Sequence, residues 1–173
     1  MIIEFKDEIE KIRDIRNGKI REGYKLENEK IDEHFRFKSG NFNVILGHAN
    51  VGKTSLVLYL MLLHSLKNGL RWLVFSSEND PHTLIRKLIE FLEHKPINKI
   101  QDSEFDSRLD FINGHFKFVS NEEMYDWKSL KALAQSVKDA WNYDGFLIDP
   151  YNSLVKKLDK GMNGHEYDYN VTT

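Results

Sequence analysis

Apolar residues in the first 16 positions fall at Ile2, Phe5, Ile9, Ile12 and Ile15, a spacing that lines them up on one face of a helix. Asp7 and Lys11, and Glu10 and Arg13, sit at pairing distance on the polar side. The pattern predicts an amphipathic helix from Ile2 to about Arg16, ended by Asn17-Gly18. Gly23 and the polar stretch Lys25 to Glu33 read as a connector with little apolar content. After Ser39-Gly40 the texture changes. Phe42 to Leu46 is a short apolar run of the kind buried in parallel sheets, followed by a Gly-containing loop and an apolar helix from about Gly52 to Asn68, with Gly69 as its stop. A second strand, Arg71 to Ser77, leads to Asp80 as cap and Pro81 as first turn of a helix carrying Leu84, Ile85, Leu88, Ile89 and Leu92. His94-Lys95-Pro96 closes that helix. The stretch up to Asn113-Gly114 is polar with scattered Phe105, Leu109, Phe111 and Ile112, for which a short helix is the reading. A third strand from His115 to Ser120 precedes a helix from Asp126 to Trp141, with Leu130, Leu133, Ala134 and Val137 at helical spacing. A fourth, Gly145 to Ile148, ends in Asp149-Pro150.

Strand and helix alternating in this way predict an α/β fold with a parallel sheet and helices on both faces, because parallel neighbours require crossovers. Residues 1–38 form a helical arm or linker, and residues 39–173 form the α/β domain. The arm carries ten Lys/Arg and ten Asp/Glu, so it is charge-balanced and a poor nucleic-acid tail. Its apolar face either meets a partner protein or packs on its own domain.

Composition narrows the class without naming it. With 173 residues, 40% of them hydrophobic, the chain can bury one core of ordinary domain size. A formal net charge of -2 gives no global attraction to nucleic acid or an anionic membrane. The absence of cysteine removes disulfides and thiolate chemistry. The first eight residues mix charges too early for a secretory signal, and the longest apolar run, Leu56 to Leu63, is far short of the ~20 residues of a membrane span. The expectation is a soluble intracellular protein with no membrane partner.

Chemistry concentrates in three segments. Gly47-His48-Ala49-Asn50-Val51-Gly52-Lys53-Thr54 fits the phosphate-binding P-loop, G-x-x-x-x-G-K-[ST], between a predicted strand and a predicted helix. Glycines let backbone N–H groups turn toward phosphate oxygens while the following helix directs its positive end at them. Lys53 then reaches the β- and γ-phosphates, the Thr54 hydroxyl ligates Mg²⁺, and Ser55 follows within the first helical turn. Side chains at His48 and Asn50 are expected to point away from the phosphates. Asp149 closes an apolar strand in the form of a Walker B aspartate, which holds the Mg²⁺ shell; capping a turn is the plainer use of such a residue. Glu78, just past the second strand, lies where open α/β folds bind ligands. There it serves either as general base for water attacking a γ-phosphate or as a solvated turn acid. His64 lies in an apolar helix, and the seven histidines show no metal-ligand spacing. Tyr143, Tyr151, Tyr167 and Tyr169 are more in keeping with packing than with base stacking.

The P-loop, then Ser76-Ser77-Glu78-Asn79, then Leu147-Ile148-Asp149-Pro150-Tyr151-Asn152-Ser153-Leu154, together resemble the RecA-like motor domain of DnaB-type hexameric replicative helicases, closest in wording to phage primase-helicase and Twinkle-like members. The resemblance covers roughly residues 31 to 173. It implies ATP and Mg²⁺ as cofactors, Glu78 as catalytic base, and Lys53, Thr54 and Asp149 as phosphate and metal residues. It also implies a homo-hexameric ring around single-stranded DNA in the cytoplasm of a bacterial or phage-infected cell. The N-terminal helix then resembles, by position alone, a linker helix that docks on a neighbouring subunit.

The family's core continues after the Walker B strand with further strands, one of which lies between the Walker B and P-loop strands, and with DNA-binding loops and an arginine finger. The chain therefore reads as an N-terminal portion of a helicase, with a gap beside its P-loop strand and weak hydrolysis by itself. Two other readings remain open: another RecA-like ATPase of the KaiC or RadA type, and a non-catalytic nucleotide-binding assembly module.

Overall fold

A computed structural model of the chain describes residues 5–18 and 23–155. The chain divides into two compact units, residues 1–41 and 42–173.

In the first unit, helix α1 spans Phe5–Arg16 and helix α2 is a single turn, Glu29–Asp32. Ile2, the first residue of the expected helix, lies outside the described residues. Gly18 ends α1 at φ +69°, its N–H reaching the Ile15 carbonyl at 3.0 Å. On the polar side Lys11 pairs with Glu8 at 2.7 Å. Phe5, Ile12 and Ile15 of the apolar stripe are exposed.

The stretch read as a plain connector is organised around one carboxylate. Asp32 accepts the Leu26 N–H at 2.8 Å and the Asn28 N–H at 3.1 Å, while the Asn28 side chain caps α2 by accepting from the Ile31 N–H. The Tyr24 N–H donates to the Phe37 carbonyl at 2.7 Å, and the two rings stack with centroids 6.4 Å apart. Gly23 is needed at this closure: its φ is +116°, and a Cβ would come within 2.9 Å of the Arg36 Cβ. The Leu26 N–H first, then those of Asn28 and Glu27 and the nearby Arg36 charge, hold the Asp32 carboxyl below the usual carboxylate range, against the opposing effect of desolvation. A group depressed in the folded state contributes stability that is complete above its unfolded pKa and lost as pH falls through the folded one. Acid titration followed by amide exchange should therefore release Leu26 and Asn28 in that window, and Asp32→Asn should release them at neutral pH. Protection that survives both changes would remove Asp32 as organiser of the turn.

The second unit contains a parallel sheet of β1 (Trp72–Ser76), β2 (Phe116–Phe118) and β3 (Gly145–Asp149), in the order β2-β1-β3. Trp72 lies opposite both Phe116 and Gly145, and Ser76 opposite Asp149. Central β1 is buried along its whole length, as its unbroken Trp-Leu-Val-Phe run requires. Side chains alternate across it. Leu73 and Phe75 pack with Val119, Leu154 and, from helix α6 (Trp127–Trp141), Leu130 and Ala134. On the opposite face the Trp72 indole Nε1 donates to Ser65 Oγ of helix α3 (Lys53–Asn68) at 2.9 Å. Helices thus cover both faces, and the unit is α/β as the alternation predicts. Leu58 and Leu62 of α3, Leu84 and Leu88 of helix α4 (Pro81–Glu93), and Leu130 are each at most 2% exposed. Burying such a side chain contributes about 1.5–3 kcal/mol before conformational entropy is subtracted.

Two expectations are corrected. Residues 42–46 do not form a strand. Phe42, Val44, Ile45 and Leu46 are 70, 61, 43 and 87% exposed, because a strand exists only through a ladder partner and no described strand pairs with this segment. The helix before Gly114 is not short: after a 3₁₀ turn at Ile97–Lys99 the stretch forms the 14-residue helix α5, Asp102–His115. Its polar sequence is tied to α4 by ion pairs, with Arg108 Nε on Glu93 and Lys95 bridging Glu93 and Glu104 at 3.4 and 3.1 Å. Helix α3 ends as expected at Gly69; α6 ends at Asn142, also in the left-handed region, and begins with a reciprocal Asp126–Ser129 capping box.

Candidate functional site

Parallel strands bring their C-terminal ends to one edge of the sheet, so Ser76, Phe118 and Asp149 share an edge. Gly47 to Gly52 form an exposed loop entering α3. Asn50 and Gly52 adopt φ +60° and +85°, left-handed values that bend the loop back over the helix start. Gly52 supplies its value without steric cost, as Asn50 also can. Gly47 serves a different need: a Cβ there would press on the Lys53 chain at 3.3 Å and on Val51 at 3.4 Å.

The Lys53 ammonium folds into the loop and donates to the Gly47 carbonyl at 2.8 Å and the His48 carbonyl at 2.6 Å. The charge thus rests against the carbonyls of its own loop. The His48, Ala49, Asn50 and Val51 side chains are exposed, and Ser55 is partly buried in the first turn of α3. Leu56 N–H opens the helical ladder on the Gly52 carbonyl at 2.9 Å, so the preceding N–H groups of the first turn lack intrahelical acceptors.

The second half of the site arrives from 95 residues away. Thr54 Oγ1 donates to Asp149 Oδ2 at 2.6 Å, a short charge-assisted bond. A hydroxyl from the helix start and a carboxylate from a strand end therefore meet at one point. Both are hard oxygen ligands of the type Mg²⁺ takes, and a phosphate-bound Mg²⁺ needs few protein groups because phosphates and water complete its shell. Among the described residues no group of three His, Asp or Glu side chains could hold an ion by itself. The donor set thus fits a nucleotide-linked magnesium ion and not an all-protein cage.

Glu78 lies two residues past the end of β1, the strand that pairs with β3 at Ser76 and Asp149. It is exposed, in the turn between β1 and α4. The Ser77 N–H donates to the Asp149 carbonyl at 3.2 Å, tying this turn to the end of β3. Asp80 precedes Pro81 at the start of α4 as expected, but its side chain does not cap the helix and instead accepts from Asn121 Nδ2 at 3.0 Å.

The remaining candidates are structural. His64 is 1% exposed, with Nδ1 3.2 Å from Asn68 Nδ2 and its ring against Trp72. Tyr143 donates to the Ala134 carbonyl at 3.1 Å, burial raises its pKa, and both it and Tyr151 pack against the α6 core. Tyr167 and Tyr169 lie outside the described residues. Sequence reasoning passed over Ser76 and Asn79, whose side chains shape the Glu78 turn; the available signal was a serine three residues before an asparagine at a strand end. No helix among the described residues is long and apolar enough to cross a membrane. Comparison of the chain with protein-family models, curated proteins and solved structures finds no match.

Proposed function

We propose that this chain belongs to the ATP-binding and hydrolysing motor of a replicative DNA helicase, built on a RecA-like P-loop core. The observation that carries the reading is the 2.6 Å bond from Thr54 to Asp149. It joins the motif's hydroxyl to the one strand-end aspartate that the motif order singles out, across the edge of a parallel sheet. An accidental G-x-x-x-x-G-K-T turn has no reason to find that partner. The adjoining exposed Glu78 and the resemblance to DnaB-type motors favour hydrolysis over mere binding.

In this reading the loop N–H groups and Lys53 bind the nucleotide phosphates, and Lys53 leaves its two loop carbonyls to do so. Thr54 and Asp149 hold Mg²⁺, which when bound neutralises charge on the β- and γ-phosphates. Glu78 accepts a proton from the attacking water. The DnaB-type resemblance implies a hexameric ring around one strand, so the proposed partners are single-stranded DNA and five further copies of the chain.

The test is ATP hydrolysis by the full natural chain with and without single-stranded DNA. DNA should raise the rate on the order of tenfold, a common size for coupling between two sites. A protein that binds ATP, assembles, and hydrolyses at a rate indifferent to DNA would overturn the helicase reading in favour of another RecA-like ATPase. Assembly with ATP bound and no turnover would favour a non-catalytic module.

A further inference from the structure

The carboxylate of Glu78 makes no hydrogen bond or ion pair among the described residues, and it stands in solvent. Whatever aims it must therefore act on the backbone of the turn. Two ties do so from the β1 side. Ser76, the last residue of β1, is 4% exposed, and its Oγ accepts the Asn79 N–H at 3.1 Å and Asn79 Nδ2 at 3.4 Å. Ser77 N–H takes the Asp149 carbonyl. The two ties flank Glu78 in sequence. The first closes a ring over residues 76 to 79 with Glu78 inside it, and the second anchors the ring to the strand whose Asp149 carboxylate accepts from Thr54.

Ser76 also lies in register with Asp149 on the parallel neighbour. Residues so paired project to the same sheet face, so the serine hydroxyl and the aspartate carboxylate lie side by side on the α3 face. A buried serine at this point is unexpected from strand packing alone, since the four preceding residues of β1 are all apolar and a hydroxyl is costly to bury without a partner. Its partner is the turn. We propose that Ser76, assisted by Asn79, is the positioning residue for Glu78. Its buried hydroxyl locks the 77–79 turn so that the carboxylate is held at a fixed place relative to the Thr54–Asp149 pair. This rests on the reading of Glu78 as a general base.

Misplacing a reacting group by about 1 Å can cost on the order of 100-fold in rate, and an untethered turn loses part of that. Ser76→Ala in the full natural chain should lower kcat for ATP hydrolysis by roughly 10-fold and leave nucleotide affinity unchanged. The decisive comparison is a double-mutant cycle with Glu78→Gln. If Ser76 acts through Glu78, Ser76→Ala adds no further loss once Glu78 is gone. A serine that merely supports the fold lowers the residual rate equally in both backgrounds, and that result would overturn the proposal. So would an unchanged kcat in Ser76→Ala. Should Ser76→Ala fail to fold, Asn79→Ala decides: a fewfold loss of kcat absent from the Glu78→Gln background supports the brace, and equal rates remove it. The parent reading fails separately. If Glu78→Gln itself hydrolyses ATP at the wild-type rate, or the wild-type chain does not hydrolyse ATP, the base assignment falls and the brace falls with it. If Glu78→Gln is slow and Ser76→Ala is not, only the brace is lost.

Discussion

Lys53→Ala is expected to abolish tight nucleotide binding while leaving the fold intact. Among the described residues the ammonium bonds only to the Gly47 and His48 carbonyls in an exposed loop, so its removal uncovers two acceptors that water can satisfy. Thermal unfolding should scarcely move. A charged hydrogen bond to phosphate contributes about 1.5–3 kcal/mol, which is roughly 10- to 150-fold in affinity. Hydrolysis should fall further, on the order of 100- to 1,000-fold, because charge on the transferring phosphoryl group is greatest at the transition state. Titration with a fluorescent ATP analogue, alongside calorimetric unfolding, separates the two effects. Wild-type affinity in Lys53→Ala would show that the loop is a structural turn. A large drop in unfolding temperature would show that the lysine serves the fold.

The complementary result is expected at Glu78. Glu78→Gln keeps size and polarity, and neither the P-loop nor the Thr54–Asp149 pair loses a contact. Nucleotide affinity and unfolding temperature should therefore stay at wild-type values, while kcat falls by about 100- to 10,000-fold, the range that a general base contributes. Binding without turnover traps the nucleotide-bound state, so DNA binding that depends on nucleotide should persist in this variant. Single-turnover hydrolysis with radiolabelled ATP gives the chemical step directly. A variant that turns over normally would assign Glu78 to the solvated surface of the turn.

How much of this was written in the chain depends on the kind of interaction. Elements that close on their own chemistry were legible. Gly69 past α3 and Pro81 at the head of α4 act within a residue or two, and β1 and β3 are apolar runs closed by Ser76 and Asp149. The two misjudged segments owe their state to partners distant in sequence. Helix α5 is polar enough to pass for loop, and what pins it is Arg108 and Glu104 meeting Glu93 and Lys95, pairs that no periodicity reveals. Phe42 to Leu46 has the composition of a buried strand, but composition supplies no ladder. The turn around Asp32 escaped notice because it is built from backbone N–H groups and one carboxylate, with almost no apolar signal.

The site divides in the same way. The glycines, Lys53 and Thr54 are contiguous and their motif is specific. Asp149 needed the motif order to be noticed, and its geometry required the register of β1 and β3. Ser76 and Asn79 lie in a segment that the resemblance includes without giving them a role of their own, since a serine and an asparagine near a strand end are ordinary turn residues until their bond to one another is seen.

The 95-residue separation of Thr54 from Asp149 has a consequence for a chain made from its N-terminus. Thr54 leaves the ribosome 95 codons before its Asp149 partner, a delay of roughly 5 to 20 seconds at ordinary elongation rates. Throughout that interval the loop and α3 exist without the strand end that completes them. A ligand rewards folding only by binding the native state, so on the proposed reading ATP would stabilise the finished sheet and offer little to the growing one. The loop that marks the site in the sequence is thus made well before the strand end that completes its hydrogen bond.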